Sequence, residues 1–462
     1  MLANKDDYLS VEADYDCRGL EIRLNGNAYK VDYPAEVWES LHDDAKKMIV
    51  DHVAFMSTNY LPVVLDKKGV VYGTRQPMLE SFAFESTVFD IPSCAQLDGR
   101  STMDYLRRYY NSDFRFEGGE TVVWGKKYRP RNKAIVSFTS GKESLLTLAL
   151  CRELGIEPIL VNVVEPSNIY EEKHRRRLLE EMEAEFGVEW YMVRHEPGVF
   201  HDGHKMGYKP SSLGWGTQLL YYLFLYLPFI FHSRARYVFF GNENSCDKEA
   251  PHPEGFRTNY CFDQSSRWTL QMDNAARMLT GGSARVGSLV GPLNEIAVTK
   301  VLHEGYPDLA KYQMSCFCED PPAEEHRWCC TCSKCARTYA FIRGLGYDPT
   351  VVGFWKDVFT EEHANLFSAL GGEKTFGFDK SGLGREEQEL ALYMAAQREP
   401  DNLFLRKYMK TSMYNGIAGE GGAGNERFHR DYEAYMTPQP YEAMPDELRD
   451  RVYAIYRGIL SR

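Results

Sequence analysis

The stretch Ala134-Ile135-Val136-Ser137-Phe138-Thr139-Ser140-Gly141-Lys142-Glu143-Ser144 decides how this chain is read. A mostly apolar strand at 134–138 runs into hydroxyl residues and a glycine, then into a segment with helical spacing that Gly155 ends. A turn of this kind, set between a buried strand and a helix N-terminus, makes an anion cradle. The first amides of the helix have no carbonyl behind them, and the helix dipole favours negative charge there. Thr139, Ser140 and Ser144 add hydroxyl donors, and Lys142 adds a positive charge. The pattern is not a Walker loop, because GxxxxGK[ST] is absent. An ordinary capped helix, with Ser140 as the cap and Glu143 three residues on, is the competing reading.

Working outward, the pattern alternates. A helix is expected over 143–154, a strand over 158–164 and a charged helix over 170–186 that stops at Gly187. A strand over 189–194, a buried helix over 219–231 and a strand over 237–240 ending at Gly241 follow. Strands alternating with helices predict an α/β fold with a parallel sheet, and ligands of such sheets bind beyond the carboxyl ends of the strands. Chemistry is therefore expected just after Ser137, Val164 and Phe240.

Upstream, residues 1–128 read as a separate β-rich unit. A hairpin is expected over 20–32 with its turn at Asn25-Gly26-Asn27, then a helix over 37–57, then strands at 60–65 and 70–72. The basic segment 125–133 reads as a solvated linker or, more sharply, as an anion-facing rim.

Six of the 11 cysteines fall between Cys316 and Cys335, and Cys329-x-x-Cys332-x-x-Cys335 has the tight spacing that aims thiolates at one ion. With one sulfur from upstream this makes a closed, structural Cys₄ zinc site. An iron–sulfur cluster is the minor competitor. Spacing alone leaves Cys316 and Cys318 both open as the fourth ligand and makes Cys330 a bystander. An odd cysteine count, clustered in this way, points to a reducing compartment rather than a disulfide framework.

The composition fits. With 462 residues, 44% apolar and 13% aromatic, the chain can build large cores, and its length suggests about two or three domains. Net charge −12 disfavours non-specific nucleic-acid binding. Met1 to Asp7 is followed by acidic residues rather than an apolar run, and 219–231 is short and broken by Pro228. A cytoplasmic protein with no membrane span is expected. The oligomeric state is not legible.

Thr139-Ser140-Gly141-Lys142-Glu143-Ser144 resembles the pyrophosphate loop (PP-loop) of the N-type ATP pyrophosphatases, usually written SGGxDS, with Thr for the first Ser, Ser for the first Gly and Glu for Asp. Together with the cysteine motif it resembles two groups, the 7-cyano-7-deazaguanine synthases and the ATP-dependent UDP-N-acetylmuramoyl-L-alanyl-L-glutamate epimerases. The second is nearer in chain length and in Gly241-Asn242-Glu243, Pro292-Leu293-Asn294-Glu295 and Gly371-Gly372-Glu373-Lys374-Thr375-Phe376. A Ser-Cys precedes the cysteine stretch in that family, matching Ser315-Cys316, so the resemblance favours Cys316 as fourth ligand.

The resemblance implies a PP-loop domain over 129–310, a Cys₄ segment over 311–345 and a C-terminal helical region over 346–462. It implies ATP, Mg²⁺ and zinc, and the transfer of AMP to a substrate carboxylate, that of a nucleotide-sugar peptide or another acid. Thr139, Ser140, Gly141, Lys142 and Ser144 would hold the phosphates, and Mg²⁺ would screen them through Glu143 and Asn242/Glu243. Lys142 would offset charge on the leaving pyrophosphate. His201 and His204, with Asp202 and Lys205 beside them, are candidate proton-transfer groups in a loop on the ligand side. Cys246 and the polar group Gln264, Ser265 and Arg267 are further candidates. The implied reaction is epimerisation of the terminal L-glutamate of UDP-MurNAc-L-Ala-L-Glu in peptidoglycan precursor synthesis. A deazaguanine-type ligase and a non-catalytic zinc-stapled nucleotide-binding protein are the alternatives.

Overall fold

The computed structural model describes residues 7–371, 382–419 and 424–462. Among the described residues twelve strands are formed: β1 (Tyr8–Tyr15), β2 (Gly19–Leu24), β3 (Asn27–Asp32), β4 (Gly69–Tyr72), β5 (Asp113–Phe116), β6 (Arg131–Ser137), β7 (Glu157–Val164), β8 (Glu189–His195), β9 (Ala235–Phe239), β10 (Glu249–Ala250), β11 (Thr258–Asn259) and β12 (Arg285–Gly287). Ten of them make one sheet in the order β12-β9-β6-β7-β8-β3-β2-β1-β4-β5, and β10 and β11 form a separate short ribbon. Six of the nine pairings in the large sheet are parallel, so the fold is α/β with a large, mostly parallel central sheet.

In its second half the strand order reverses between β6 and β9. β6 is followed in sequence by β7 and β8 on one side, and β9 and β12 lie on the other. This is the switch point of a doubly wound sheet, where the loops leaving two neighbouring strands diverge and open a crevice. The loop Thr139–Ser144 leaves β6 there, and Gly241-Asn242-Glu243 leaves β9. An ideal Cβ on Gly241 would lie 2.7 Å from the Glu143 Cβ, so only glycine lets the two loops approach this closely.

The helices meet their expected positions closely: Lys142–Glu153, Glu171–Phe186 and Gln218–Ser233. Gly187 caps the second with φ +65°, as its place in the sequence demands. The hairpin β2–β3 also forms, with Asn25 at φ +50° and Gly26 at φ +87° making the two-residue turn that matches strand twist.

Three expectations are corrected. Residues 60–65 are not a strand but contribute the helix Leu61–Leu65, with Pro62 in its first turn and Asp66 closing it in the left-handed region. A short apolar run carries no period that separates the two outcomes. Residues 1–128 are not a separate β-rich unit. They contain the helices Asp43–Thr58, Glu80–Leu97 and Thr102–Tyr110, and β3 joins the second half directly through Val31↔His195 and Asp32↔Arg194. The basic segment 125–133 is not a rim of the loop Thr139–Ser144, because it lies at the opposite end of β6. The seven residues of that strand span about 23 Å.

Each face of the sheet carries one core. Ala134, Val136, Leu160, Tyr237 and Phe239 face a core shared with the helices Lys142–Glu153 and Glu295–Gly305, the cysteine segment and the C-terminal helices. Ile135, Ile159, Val161 and Val238 alternate with them and face a second core, which the helix Gln218–Ser233 shares with the helices of the first hundred residues. Among the described residues one stretch, Asp43–Leu65, is long and apolar enough by composition to cross a membrane, but 89% of its apolar window is buried inside the molecule. It is a core helix pair here. The described part of 346–462 is helical, and residues 372–376 of the segment noted above lie outside the described residues.

Candidate functional site

Ser140 is the conformational centre of the loop. Its φ is +54°, the left-handed region that glycine adopts freely and other residues adopt at a cost. Its carbonyl accepts a 2.8 Å bond from the Met314 amide. Its hydroxyl is buried and has no partner. Gly141, not Ser140, is the N-cap of the helix Lys142–Glu153, and no side chain caps that end. The capping-box arrangement therefore does not form. Ser144 folds back to accept from the Thr139 amide at 3.3 Å and donates to the Gly141 carbonyl at 3.1 Å, which closes the loop on itself.

Lys142 departs from expectation. It is 3% exposed, and its Nζ lies 2.5 Å from Glu143 and 2.7 Å from Glu295. Burial opposes the charge, but the two carboxylates outweigh it and hold the ammonium above its usual range. The Arg337 Nε lies 3.2 Å from the same Glu295 oxygen. Burial pushes Glu295 up, and Arg337 and Lys142 together pull it below the ordinary carboxylate range. Lys142 is thus part of a buried charge network rather than an exposed probe of the crevice.

Asn242 and Glu243 also turn elsewhere. The Asn242 amide donates to Thr269 at 3.0 Å, and the Glu243 carboxylate accepts from the Ser245 amide at 2.6 Å and from the Cys246 thiol at 3.2 Å. Burial, then Glu387 and Glu295, push Glu243 up. These side chains serve as a helix cap and its support, and they do not form a ready group for Mg²⁺ with Glu143. Ser265 caps the helix Ser266–Leu279, and Arg267 lies over the Phe89 ring.

The catalytic candidates His201 and His204 separate. His201 is buried, stacks on Tyr60 and shares a 2.9 Å hydrogen bond with its hydroxyl. Burial lowers its pKa to about 4, so it is neutral near pH 7. His204 is exposed on the short helix Gly203–Met206.

Sequence reading missed a tighter group at the carboxyl ends of β7 and β8. The His195 Nδ1 lies 3.3 Å from Glu165, and its Nε2 meets the Tyr221 hydroxyl. The Tyr222 hydroxyl donates to the same Glu165 oxygen. Burial pushes Glu165 up, but His195 and the Tyr222 hydrogen bond more than offset this and leave it below its usual range. Its other oxygen is buried without a partner. A Cβ on Gly198 would lie 2.3 Å from that oxygen, so the backbone passes directly over it. One turn along the same helix from Tyr222, Tyr226 shares a 2.8 Å bond with Ser137, the last residue of β6. The only signal in the sequence was the position of Glu165 just after Val164.

Unpartnered buried polar atoms gather along this edge: Ser140 Oγ, Asn162 Oδ1, Glu165 Oε2, Ser167 Oγ and Ser315 Oγ. Buried polar groups are nearly always paired in folded proteins. A row of them at the carboxyl ends of β6 and β7 fits a polar ligand. Asn244 and Asn294, next in sequence to Glu243 and Glu295, line a cavity of about 940 Å³ whose charges are mixed: Glu389 pairs with Arg385, Asp431 pairs with Arg427 and Arg430, and Lys248 and Glu386 complete the charged lining.

The cysteine set is assembled. The Sγ atoms of Cys316, Cys329, Cys332 and Cys335 all lie within 4.8 Å of one another, and all four residues are buried. Separations are 3.5 Å for Cys332–Cys335, 3.7 Å for Cys329–Cys335 and 4.0 Å for Cys316–Cys332. A tetrahedron with metal–sulfur bonds near 2.3 Å has edges of about 3.8 Å, so the set can hold a metal such as zinc. Amides of Cys318 and Cys329 donate to the Cys316 sulfur at 3.3 Å, which favours a thiolate. The Cys318 sulfur instead faces the Arg327 carbonyl at 3.9 Å. Among the described residues this is the only such group. Cys332 is the N-cap of the helix Ser333–Leu345, which carries Arg337 to Glu295. The cysteine set thereby orients one cation of the loop network.

No protein-family model and no curated protein matches this sequence.

Proposed function

We propose that this protein is an ATP-dependent enzyme of the PP-loop type that activates a substrate carboxylate as its adenylate. The observation that carries the reading is the loop Thr139–Ser144 at the switch point between β6 and β9, lined by buried polar atoms that lack partners. A carboxylate oxygen attacks the α-phosphorus, the bond to the β-phosphate oxygen breaks, and pyrophosphate leaves. The amides of the first helical turn, with Ser140, Gly141 and Ser144, would receive it. Lys142 acts through Glu143 and Glu295, which it holds in place.

Adenylation removes the carboxylate charge and so acidifies the adjacent C–H. Glu165 and His195 are the groups assigned to move that proton, and hydrolysis then releases AMP. The cysteine set would hold one structural zinc. Mg²⁺ would screen the phosphates, and no preformed group is assigned to it.

The first carboxylate to test is the terminal L-glutamate of UDP-MurNAc-L-Ala-L-Glu, the substrate of the family this sequence resembles. The experiment is incubation with that substrate and ATP in D₂O. Deuterium at the glutamate α-carbon together with AMP supports the epimerase. AMP formed only with ammonia favours a deazaguanine-type ligase. No AMP with any carboxylate refutes adenylation.

A further inference from the structure

A second cavity, of about 480 Å³, is lined by residues between Ala13 and Gly118, away from the loop Thr139–Ser144. It sits beyond the carboxyl ends of three parallel strands. Asp14 and Tyr15 end β1, Gly73 to Arg75 follow β4, and Gly118 follows β5. This is where open α/β sheets take ligands, and the volume is in the range of small-molecule sites.

The site is built. Gly118 donates to the Thr74 carbonyl at 2.9 Å, and a Cβ on it would lie 2.4 Å from that carbonyl carbon. The close approach fixes the Thr74 backbone. Thr74 is 3% exposed, and its hydroxyl has no partner. Asp51 stands in the middle of the core helix Asp43–Thr58, between Val50 and His52, and is 2% exposed. One carboxylate oxygen accepts from the Arg75 amide at 3.3 Å and lies 3.7 Å from its guanidinium. The other is buried without a partner. A buried, half-satisfied carboxylate is costly in a helix that packing alone would fill with an apolar residue.

The lining carries both signs of charge, with Asp14 and Asp51 against Lys47 and Arg75. A simple anion would face two carboxylates, and a bare cation would face two cations. A ligand bearing both charges meets both signs, with Lys47 also held by Asp44 at 3.4 Å. We infer that this cavity binds a zwitterionic α-amino acid or dipeptide, its ammonium on the free Asp51 oxygen and Thr74, its carboxylate on Arg75 and Lys47. The inference is independent of the adenylation reading.

The test is calorimetric titration of the full chain with alanine, glutamate, lysine and glycylglycine, each as the zwitterion, the N-acetyl acid and the amide. At least one zwitterion is expected to bind one per chain, with both blocked forms weaker by about tenfold or more. Thr74→Val and Asp51→Asn should each cost about the same factor, whereas Glu165→Gln, at the other site, should leave binding whole. Should Asp51→Asn fail to fold, Thr74→Val decides. Equal binding of the blocked forms, undiminished binding by folded Thr74→Val, or no binding by any zwitterion overturns the proposal.

Discussion

The Lys142 ammonium reaches Glu295, 153 residues away in sequence, at 2.7 Å, with both side chains buried. The loop Thr139–Ser144 is thereby pinned to the helix Glu295–Gly305, and Lys142 is a structural residue of that loop.

Lys142→Ala should therefore destabilise the fold. It leaves Glu143 and Glu295 without their shared cation. Breaking a buried pair by removing one partner costs about 3–5 kcal/mol, and Arg337 beside Glu295 keeps the expected loss near the lower end. Chemical denaturation checks this. Restoration of stability in Lys142→Met/Glu295→Gln would show that the stranded charge, not lost packing, is the cause.

Ser140→Gly should be neutral to stabilising. Relief of the left-handed backbone is worth about 1 kcal/mol, partly offset by the greater freedom of glycine in the unfolded chain. Ser140→Val should cost more than 1 kcal/mol, roughly, because a β-branched residue tolerates positive φ poorly. Thermal melts of the two variants should move apart.

Elemental analysis should find about one zinc per chain. Cys332→Ser should lose the metal and lower the melting temperature sharply. Cys318→Ser should keep it, because that sulfur points to the Arg327 carbonyl. Retention of metal by the first variant, or its loss from the second, would overturn the ligand set.

Asp90 and Asp263 are both buried, and burial raises each to about 7 from an ordinary value of 3.8. The folded state then binds more protons than the unfolded one between these values. Stability from this source is full at low pH and is lost as pH rises through about 7, by a few kcal/mol in order of magnitude. Melts across that window should fall with pH, and Asp90→Asn should flatten the fall.

Glu165→Gln should separate the two halves of the proposed reaction. Pyrophosphate and AMP release should persist, while solvent exchange at the α-carbon should fall by about a hundredfold or more, the usual contribution of a positioned acid or base. Equal loss of both would place Glu165 in binding instead.

What the sequence made legible was local. The strand before Thr139, the glycine stops at 155 and 187 and the Asn25-Gly26 turn each follow from a few neighbouring residues, and all were found where expected. The set of four cysteines was likewise readable, although spacing alone did not separate Cys316 from Cys318. Long-range pairings were not readable. Nothing near Lys142 announces Glu295, and nothing near Glu165 announces Tyr222. The β3–β8 seam rests on two residue pairs more than 160 positions apart. Charge networks and sheet closure are chosen by the fold as a whole, so the buried state of Lys142 and the union of the two halves appear only in three dimensions.

That union has a practical meaning for dissection of the chain. Cutting at residue 128 would strip β3 from β8 and leave two raw strand edges, each with an apolar face once covered by the other fragment. Such edges template pairing with other chains. The fragments should precipitate when expressed apart and give soluble material when co-expressed, each acting as the other's chaperone.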